Sequence, residues 1–162
     1  MNVPAHTPAV LRHYQRLSQW PGGRWLFARI VTLHAPYFAS IAPRFHELRP
    51  GLCQVSLRKS RAVLNHIGTV HAIAMANLCE LACGMLMEVT LPTGMRWIPR
   101  GMTIEYLRKA ETDVTCTARL DKKEWAEGED IGVPASVSDR HGTEVVRAVI
   151  TMYVSPRRKA AP

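Results

Sequence analysis

The feature that most constrains this chain is an apolar run over residues 72–87. Almost every side chain in the run is small or apolar, and turn-forming residues flank it on both sides. This composition predicts a helix over about 71–89 that is covered on most of its surface. The run is shorter than the roughly 20 apolar residues of a membrane span, and Asn77 and Glu80 interrupt it. The sequence therefore predicts a buried core helix.

The segments on either side of this helix predict an α+β fold with an antiparallel sheet. Two stretches before residue 42, 10–18 and 24–38, have apolar residues at helical spacing. After residue 43 the apolar period becomes two, which predicts two strands that turn at residues 50–51 and four more strands after the long helix. Strands and helices do not alternate, so a doubly wound parallel sheet is not expected.

This pattern predicts one domain that spans residues 1–162. Its expected parts are an N-terminal helical extension (1–42), a core in which the sheet wraps around the helix (43–154) and a flexible tail (155–162).

The chain carries a net charge of +8, concentrated in its first third. Residues 1–61 contain nine arginines and lysines against one acid, Glu47, whereas residues 62–162 contain 12 basic and 12 acidic residues. Such an excess attracts phosphate-bearing ligands, an acidic carrier protein, nucleic acid or an anionic membrane surface, and it also serves simply to keep a surface solvated. No recognisable nucleic-acid-binding motif accompanies it, so nucleic acid is not expected as a partner.

Neither the cysteines nor the N-terminus indicates a metal site or secretion. The four cysteines form no C-x-x-C pair and precede no His-x-x-x-His motif, so no metal is expected and buried, reduced thiols are. The first residues lack the charged and apolar regions of a signal peptide, so the sequence predicts a cytoplasmic protein.

Glu80 is the one ionisable residue inside the apolar run apart from its cysteines. A carboxylate that is buried without partners costs several kcal/mol. A chain that keeps one either pairs it at a helix or subunit contact or uses it chemically, and the helix by itself leaves both interpretations open.

The loop before the helix favours the chemical interpretation. It places Asn65, Gly68, Thr69 and His71 at a helix N-terminus, where free N–H groups can polarise a carbonyl oxygen as an oxyanion hole does. Glu80 lies nine residues after His71, about 13 Å along the helix axis, which is too far for one helix to bring both onto a small substrate. Two copies of the helix packed antiparallel would bring them together, so the sequence predicts a homodimer with shared sites.

These residues resemble the motif of hotdog-fold acyl-CoA thioesterases, including those of the phenylacetate-pathway type. That motif runs Asn-x-x-Gly-x-x-His-Gly-Gly with an acid nine residues after the histidine, and Asn65, Gly68, His71 and Glu80 fall in its frame. The stretch "IEYLRKA" is similar to the family's "N-x-x-Y/F-L-R-P-A" strand. The resemblance covers residues 20–155 and implies a hotdog fold, a sheet wrapped around a long helix, with extra N-terminal helices as in an uncharacterised bacterial branch.

The resemblance implies a thioesterase. Glu80 would activate water or attack the thioester directly, while the Ala72 N–H and Asn65 polarise or position the thioester carbonyl and His71 lies at the same helix start. The structural alternatives are that Asn65 forms a turn and that His71 has all its hydrogen bonds made within the protein at the helix start. A hotdog dehydratase or hydratase and a non-catalytic acyl-CoA-binding protein remain alternatives at the level of the whole protein.

The resemblance also implies the substrate and the partners. The substrate is expected to be a thioester of coenzyme A or of acyl carrier protein, with no separate cofactor. The expected assembly is a homodimer or a dimer of dimers, and the basic N-terminal third is a candidate for peripheral membrane contact. The residues expected to contact substrate, the basic ones through the coenzyme A phosphates, are Gly68, Thr69, Arg58, Arg61, Arg108 and Lys109.

Overall fold

The computed structural model describes residues 7–122 and 124–157. Its α-helices are α1 (Ala9–Leu17), α2 (Gly23–His34) and α3 (Ala72–Thr90), with 3₁₀ helices at Pro36–Ile41 and Arg61–Val63. Its strands are β1 (Arg44–Arg49), β2 (Leu52–Leu57), β3 (Met95–Tyr106), β4 (Val114–Arg119), β5 (Glu129–Asp139) and β6 (Glu144–Pro156). The predicted α+β class is confirmed, with the long apolar helix in the middle of the chain.

The strands form one six-stranded antiparallel sheet in the order β1-β2-β4-β5-β6-β3. The β5–β6 hairpin turns at the sequence "DRHG", where the Asp139 carboxylate accepts hydrogen bonds from the N–H groups of His141 and Thr143 at 2.9 Å. β3 follows α3 in the chain but pairs with the last strand, so it lies at one edge of the sheet. β1 lies at the other edge.

α3 lies against the sheet and fills the core. Its buried side chains include Leu78, Leu81, Leu86 and Met87, each no more than 2% exposed. Burial of one such side chain contributes about 1.5–3 kcal/mol. Among the described residues α3 is the one helix long and apolar enough to cross a membrane, but 67% of its apolar window is buried inside the fold, as in a core helix.

The N-terminal helices form a second layer beside α3. Aromatic rings hold this layer to the sheet: Tyr14 of α1 and Phe27 of α2 lie 5.1 Å apart between ring centroids, and Phe27 and Phe45 of β1 are also 5.1 Å apart, both edge to face. Such pairs contribute about 0.5–1.5 kcal/mol beyond their burial. The Tyr14 hydroxyl donates a hydrogen bond to the His46 carbonyl at 3.1 Å.

Pro36 predicts the end or a kink of the second helix, and α2 ends at His34 because Ala35 precedes the proline and adopts a non-helical conformation (φ −129°, ψ 77°). One boundary differs from the sequence expectation. β6 continues to Pro156, two residues into the expected tail, and the Arg157 N–H donates to the Gly94 carbonyl. The rest of the expected tail, 158–162, lies outside the described residues.

Replacement of Gly23 by alanine should destabilise the N-terminal layer. A Cβ at this position would lie 1.8 Å from the Leu17 carbonyl oxygen, a backbone atom that cannot move away without displacing α1. We expect Gly23→Ala to lower the free energy of unfolding by about 2 kcal/mol or more, measured by urea denaturation. Gly101→Ala is the matched control, because its Cβ meets no atom within 4 Å. Equal denaturation midpoints for the two variants would contradict this packing.

Candidate active site

Asn65 builds the loop that precedes α3. Its side-chain oxygen accepts hydrogen bonds from the N–H groups of Ile67 (3.1 Å) and Thr69 (3.0 Å), and its amide nitrogen donates to the Thr69 hydroxyl (2.8 Å). Gly68 has φ +77°, a left-handed conformation that glycine adopts without strain. These contacts are those of a turn former, and they leave one amide N–H of Asn65 for a ligand.

The start of α3 presents free backbone donors. His71 is the N-cap residue, and its Nδ1 accepts the Ile73 N–H at 3.1 Å, so the proton of the neutral ring lies on Nε2. The N–H groups of Ala72 and Ala74 have no hydrogen-bond partner among the described residues. With the positive end of the helix dipole beside them, they can stabilise a developing oxyanion.

Tyr106 lies at the same helix start. Its hydroxyl donates to the Ala72 carbonyl at 3.2 Å, and burial together with the nearby Cys79 raises the pKa of the phenol. The hydroxyl therefore stays protonated at the start of α3. Tyr106 lies in the stretch "IEYLRKA", but the sequence does not predict it as a site residue, because nothing local indicates that the end of β3 reaches the start of α3.

Two backbone contacts bring the predicted phosphate-binding residues around this loop. The Val70 N–H donates to the Ala110 carbonyl, and the Lys59 N–H donates to the Asp113 carboxylate at 2.8 Å. These contacts place the segment that contains Arg108 and Lys109 beside the segment that contains Arg58 and Arg61. All four basic side chains are exposed, and none forms an ion pair with a described residue.

Glu80 lies further along α3, and its surroundings differ from those of Glu88 two turns later. Both side chains are half-buried. Glu88 accepts a hydrogen bond from the Trp97 indole at 3.2 Å and lies 3.9 Å from the Arg157 guanidinium. Glu80 forms no hydrogen bond or ion pair with any residue of 7–122 or 124–157. Glu80 is thus an unpaired carboxylate, whereas Glu88 has a structural role.

Glu80 lines a largely apolar cleft of about 610 Å³ between the N-terminal helices and α3. This volume lies within the range of about 300–1,000 Å³ that is usual for ligand sites. The apolar wall is contributed by Val10, Phe27, Ile30, Val31, Ala35, Phe38, Leu81, Met85, Trp97 and Pro99. At Gly84 the missing side chain leaves room for the Trp97 ring, which a Cβ would approach to 2.8 Å.

Two histidines that the sequence does not predict as site residues share the cleft with Glu80. His13 comes from α1 and His34 from the end of α2. His34 Nδ1 lies 2.9 Å from the Ile30 carbonyl oxygen, so it donates its proton there and leaves Nε2 as a free base. The three groups come from helices distant in sequence, and only the fold brings them together.

The four cysteines are buried and free, as expected from the sequence. Burial raises the pKa of the Cys53 thiol to about 12 and also raises the pKa of Cys83. The hydrogen bond to Cys79, together with burial, raises the pKa of Cys116. Thiols in this state are poor nucleophiles. Within 7–122 and 124–157 no group of three metal-ligating side chains lies close enough to hold a metal ion.

One chain does not unite all the predicted site residues. Asn65, Gly68, Thr69, His71 and Ala72 meet at the start of α3, whereas Glu80 lies in the cleft about 13 Å along the helix. The helix start lies beside the edge strand, whose inward face stays open at Met102 (38% exposed) and Tyr106 (44% exposed).

The chain is similar to a family model and to several solved structures. Residues 23–154 match the model described as "Domain of unknown function (DUF4442)". A crystal structure from structural genomics, with no functional name, is 46% identical, covers 91% of this chain and 99% of its own, and has a TM-score of 0.81. A search of curated proteins found no match.

Two further structures are of thioesterases. A probable thioesterase from Pseudomonas aeruginosa is 23% identical, covers 80% of this chain and 94% of its own, and has a TM-score of 0.70. A thioesterase from Haemophilus influenzae is 10% identical, covers 78% and 87%, and has a TM-score of 0.68. At these identities the likeness shows the fold, and it confirms the hotdog architecture expected from the motif. The chain therefore belongs to the DUF4442 family, a family of domains of unknown function, and its fold is the hotdog fold of thioesterases.

Proposed function

We propose that this protein hydrolyses acyl thioesters of coenzyme A or of acyl carrier protein, with Glu80 as the catalytic carboxylate. One observation carries the proposal: Glu80 has no partner among the residues that the structure describes, although it lies half-buried in the wall of an apolar cleft. A structural carboxylate in such a place would have partners, as Glu88 has. An unpaired one costs stability and is kept where its free lone pairs are used.

Glu80 acts in one of two ways. As a general base it takes a proton from water while the water oxygen attacks the thioester carbonyl carbon; the C–S bond then breaks, and the departing thiolate recovers a proton. As a nucleophile it attacks the carbonyl carbon and forms an anhydride with the acyl group, while the C–S bond breaks and the thiolate leaves. Water then hydrolyses the anhydride. In both routes negative charge develops on the carbonyl oxygen and needs N–H donors close by.

The free Ala72 N–H supplies the donor for this oxygen. Because it lies too far from Glu80 on the same helix, the donor comes from the α3 of a second copy packed antiparallel. The open inward face of β3 supports such a dimer, since Met102 and Tyr106 leave apolar surface uncovered beside α3. Tyr106 orients the helix start through its bond to the Ala72 carbonyl, and Asn65 shapes the loop that leads into it.

The apolar cleft holds the acyl chain. Its lining carries few polar groups besides Glu80, Glu88 and the two histidines, which suits an aliphatic or aromatic acyl group next to the reacting carbonyl. The exposed and unpaired Arg58, Arg61, Arg108 and Lys109 surround the loop before α3, where they can bind the phosphates of coenzyme A.

A hydratase is the second candidate, because His34 presents a free Nε2 in the cleft that contains Glu80. A histidine and a carboxylate together can add water across, or remove it from, the C2–C3 bond of an acyl thioester. A panel that contains saturated and 2-enoyl thioesters, with products identified by mass, separates hydrolysis from hydration. Binding without turnover of either class would indicate a non-catalytic acyl-CoA-binding protein.

Replacement of Glu80 by glutamine should abolish hydrolysis while the fold is retained. Glutamine keeps the shape of the side chain but removes the base, so we expect kcat for the best acyl-CoA of the panel to fall about a hundredfold or more. Glu88→Gln is the matched control, with the same change on the same helix and in the same cleft, and it should keep kcat within about threefold, because the amide oxygen can still accept the Trp97 bond. Unchanged turnover in Glu80→Gln would remove the residue from the chemistry.

Coenzyme A binding should depend on salt and on the basic residues around the loop. The electrostatic screening length falls from about 10 Å at 0.1 M to about 3 Å at 1 M salt, so the Kd for coenzyme A should rise between these two concentrations. Arg58→Ser with Arg108→Ser should weaken binding about tenfold at low salt, measured by calorimetry. The control, Arg96→Ser with Arg119→Ser, removes the same charge from exposed positions at the opposite end of the sheet. Equal losses in the two double variants would exclude a phosphate site at the loop.

A further inference from the structure

α2 has a second apolar face, which points away from the protein. Its inward face is buried at Phe27, Ala28 and Thr32. The opposite face carries Trp25, Leu26 and Leu33, and these side chains are 66%, 43% and 76% exposed. A surface helix normally has one apolar stripe that faces the core and a polar face toward water. The second stripe on α2 therefore indicates contact with an apolar partner.

Exposed aromatic side chains lie before this face in the chain, at the start of α2 and just after its end. Trp20 and Trp25, before and at the start of α2, are 71% and 66% exposed, and Tyr37, just after it, is 69% exposed. We call the set Trp20, Trp25, Leu26, Leu33 and Tyr37 the α2 surface. Tryptophan and tyrosine are enriched where a protein meets the boundary between lipid headgroups and acyl chains, because their rings are apolar and their N–H or O–H groups can stay hydrated.

The charge around the α2 surface is entirely positive. Arg29, one turn from both Trp25 and Leu33, is exposed and forms no ion pair with a described residue. The sequence contains no aspartate or glutamate before Glu47. Arg29 lies between Leu26 and Leu33 along the apolar stripe. A helix with apolar and aromatic residues on one face and arginine beside them has the composition of helices that lie in the plane of an anionic membrane.

We propose that the α2 surface docks on an anionic lipid bilayer, with its aromatic and aliphatic side chains in the headgroup region and Arg29 on a lipid phosphate. A second copy of the chain fits the same face less well. A two-fold interface would bring the Arg29 side chains of both copies onto one contact, with no acid in residues 7–46 to compensate. An acidic protein would account for Arg29 but not for two tryptophans and a tyrosine that are each about two thirds exposed.

The test is co-sedimentation of the full chain with vesicles at low salt. Wild-type protein should bind vesicles of phosphatidylglycerol and phosphatidylcholine in equal parts and should bind pure phosphatidylcholine much more weakly. Trp25→Ser with Leu33→Ser should reduce the partition coefficient at least about tenfold, because each side chain loses its apolar burial in the bilayer. Arg29→Ser should reduce it about fivefold on anionic vesicles.

The double variant Arg119→Ser with Arg140→Ser separates a docking face from general attraction. It removes two positive charges from exposed positions outside α1 and α2, and it should bind within about threefold of wild type. Quenching of wild-type tryptophan fluorescence by brominated lipid gives a second readout that needs no variant. None of the variant positions lines the cleft, so hydrolysis of a water-soluble thioester should be unchanged.

Four results would overturn the proposal. The first is that wild-type protein does not bind anionic vesicles and shows no quenching. The second is that Trp25→Ser with Leu33→Ser binds like wild type, which would leave a charge-only face suited to an acidic protein. The third is that the control variant loses as much binding as Arg29→Ser. The fourth is that Trp25→Ser with Leu33→Ser dissociates a dimer in the absence of lipid, which would assign the face to a second copy.

Discussion

A helix that is apolar on nearly every side has to be covered, and the covering of α3 is the constraint on which the rest of this structure depends. The six-stranded sheet covers most of it, and α1 and the 3₁₀ helix at Pro36–Ile41 cover part of the remainder, while α2 packs on α1, β1 and this 3₁₀ helix. The strands before α3 in the chain (β1 and β2) and those after it (β3 to β6) join in one antiparallel sheet, which packs on the helix. β3 is left at one edge, next to the start of the helix.

The covering is incomplete along one line of α3. Ile73 is 57% exposed, and Ala76, Glu80 and Glu88 are half-buried. Glu88 is compensated by Trp97 and Arg157, whereas Glu80 is not. The incompletely covered line therefore leads from free N–H groups at the helix start to a free carboxylate in an apolar cleft. A second copy of the chain, placed antiparallel, would cover the line and bring donor and carboxylate to one substrate.

Much of the fold follows from local sequence, because its signals act over a few residues. The apolar run and its flanking turns locate α3 to within one residue. The alternation of apolar and polar residues in "VTCTA" predicts β4, in which the apolar side chains are buried. Pro36 predicts the end of the second helix, and α2 ends two residues before it because the proline also restricts Ala35. The cleft could not be predicted, since its walls come from α1, α2, α3 and β3. The turn contacts of Asn65 are local and were among the alternatives that the sequence left open.

The central claim is that one catalytic site combines the helix start of one chain with Glu80 of another. It can be tested by mixing two inactive variants, Glu80→Gln and Ala72→Pro. Proline removes the N–H donor, yet it is favoured at the first position of a helix, and His71 before it already has a compatible extended conformation (φ −64°, ψ 138°). If the site is shared, each mixed dimer contains one intact site, and activity returns on mixing after subunit exchange. Exchange confirmed by mass spectrometry with no return of activity would contradict the claim.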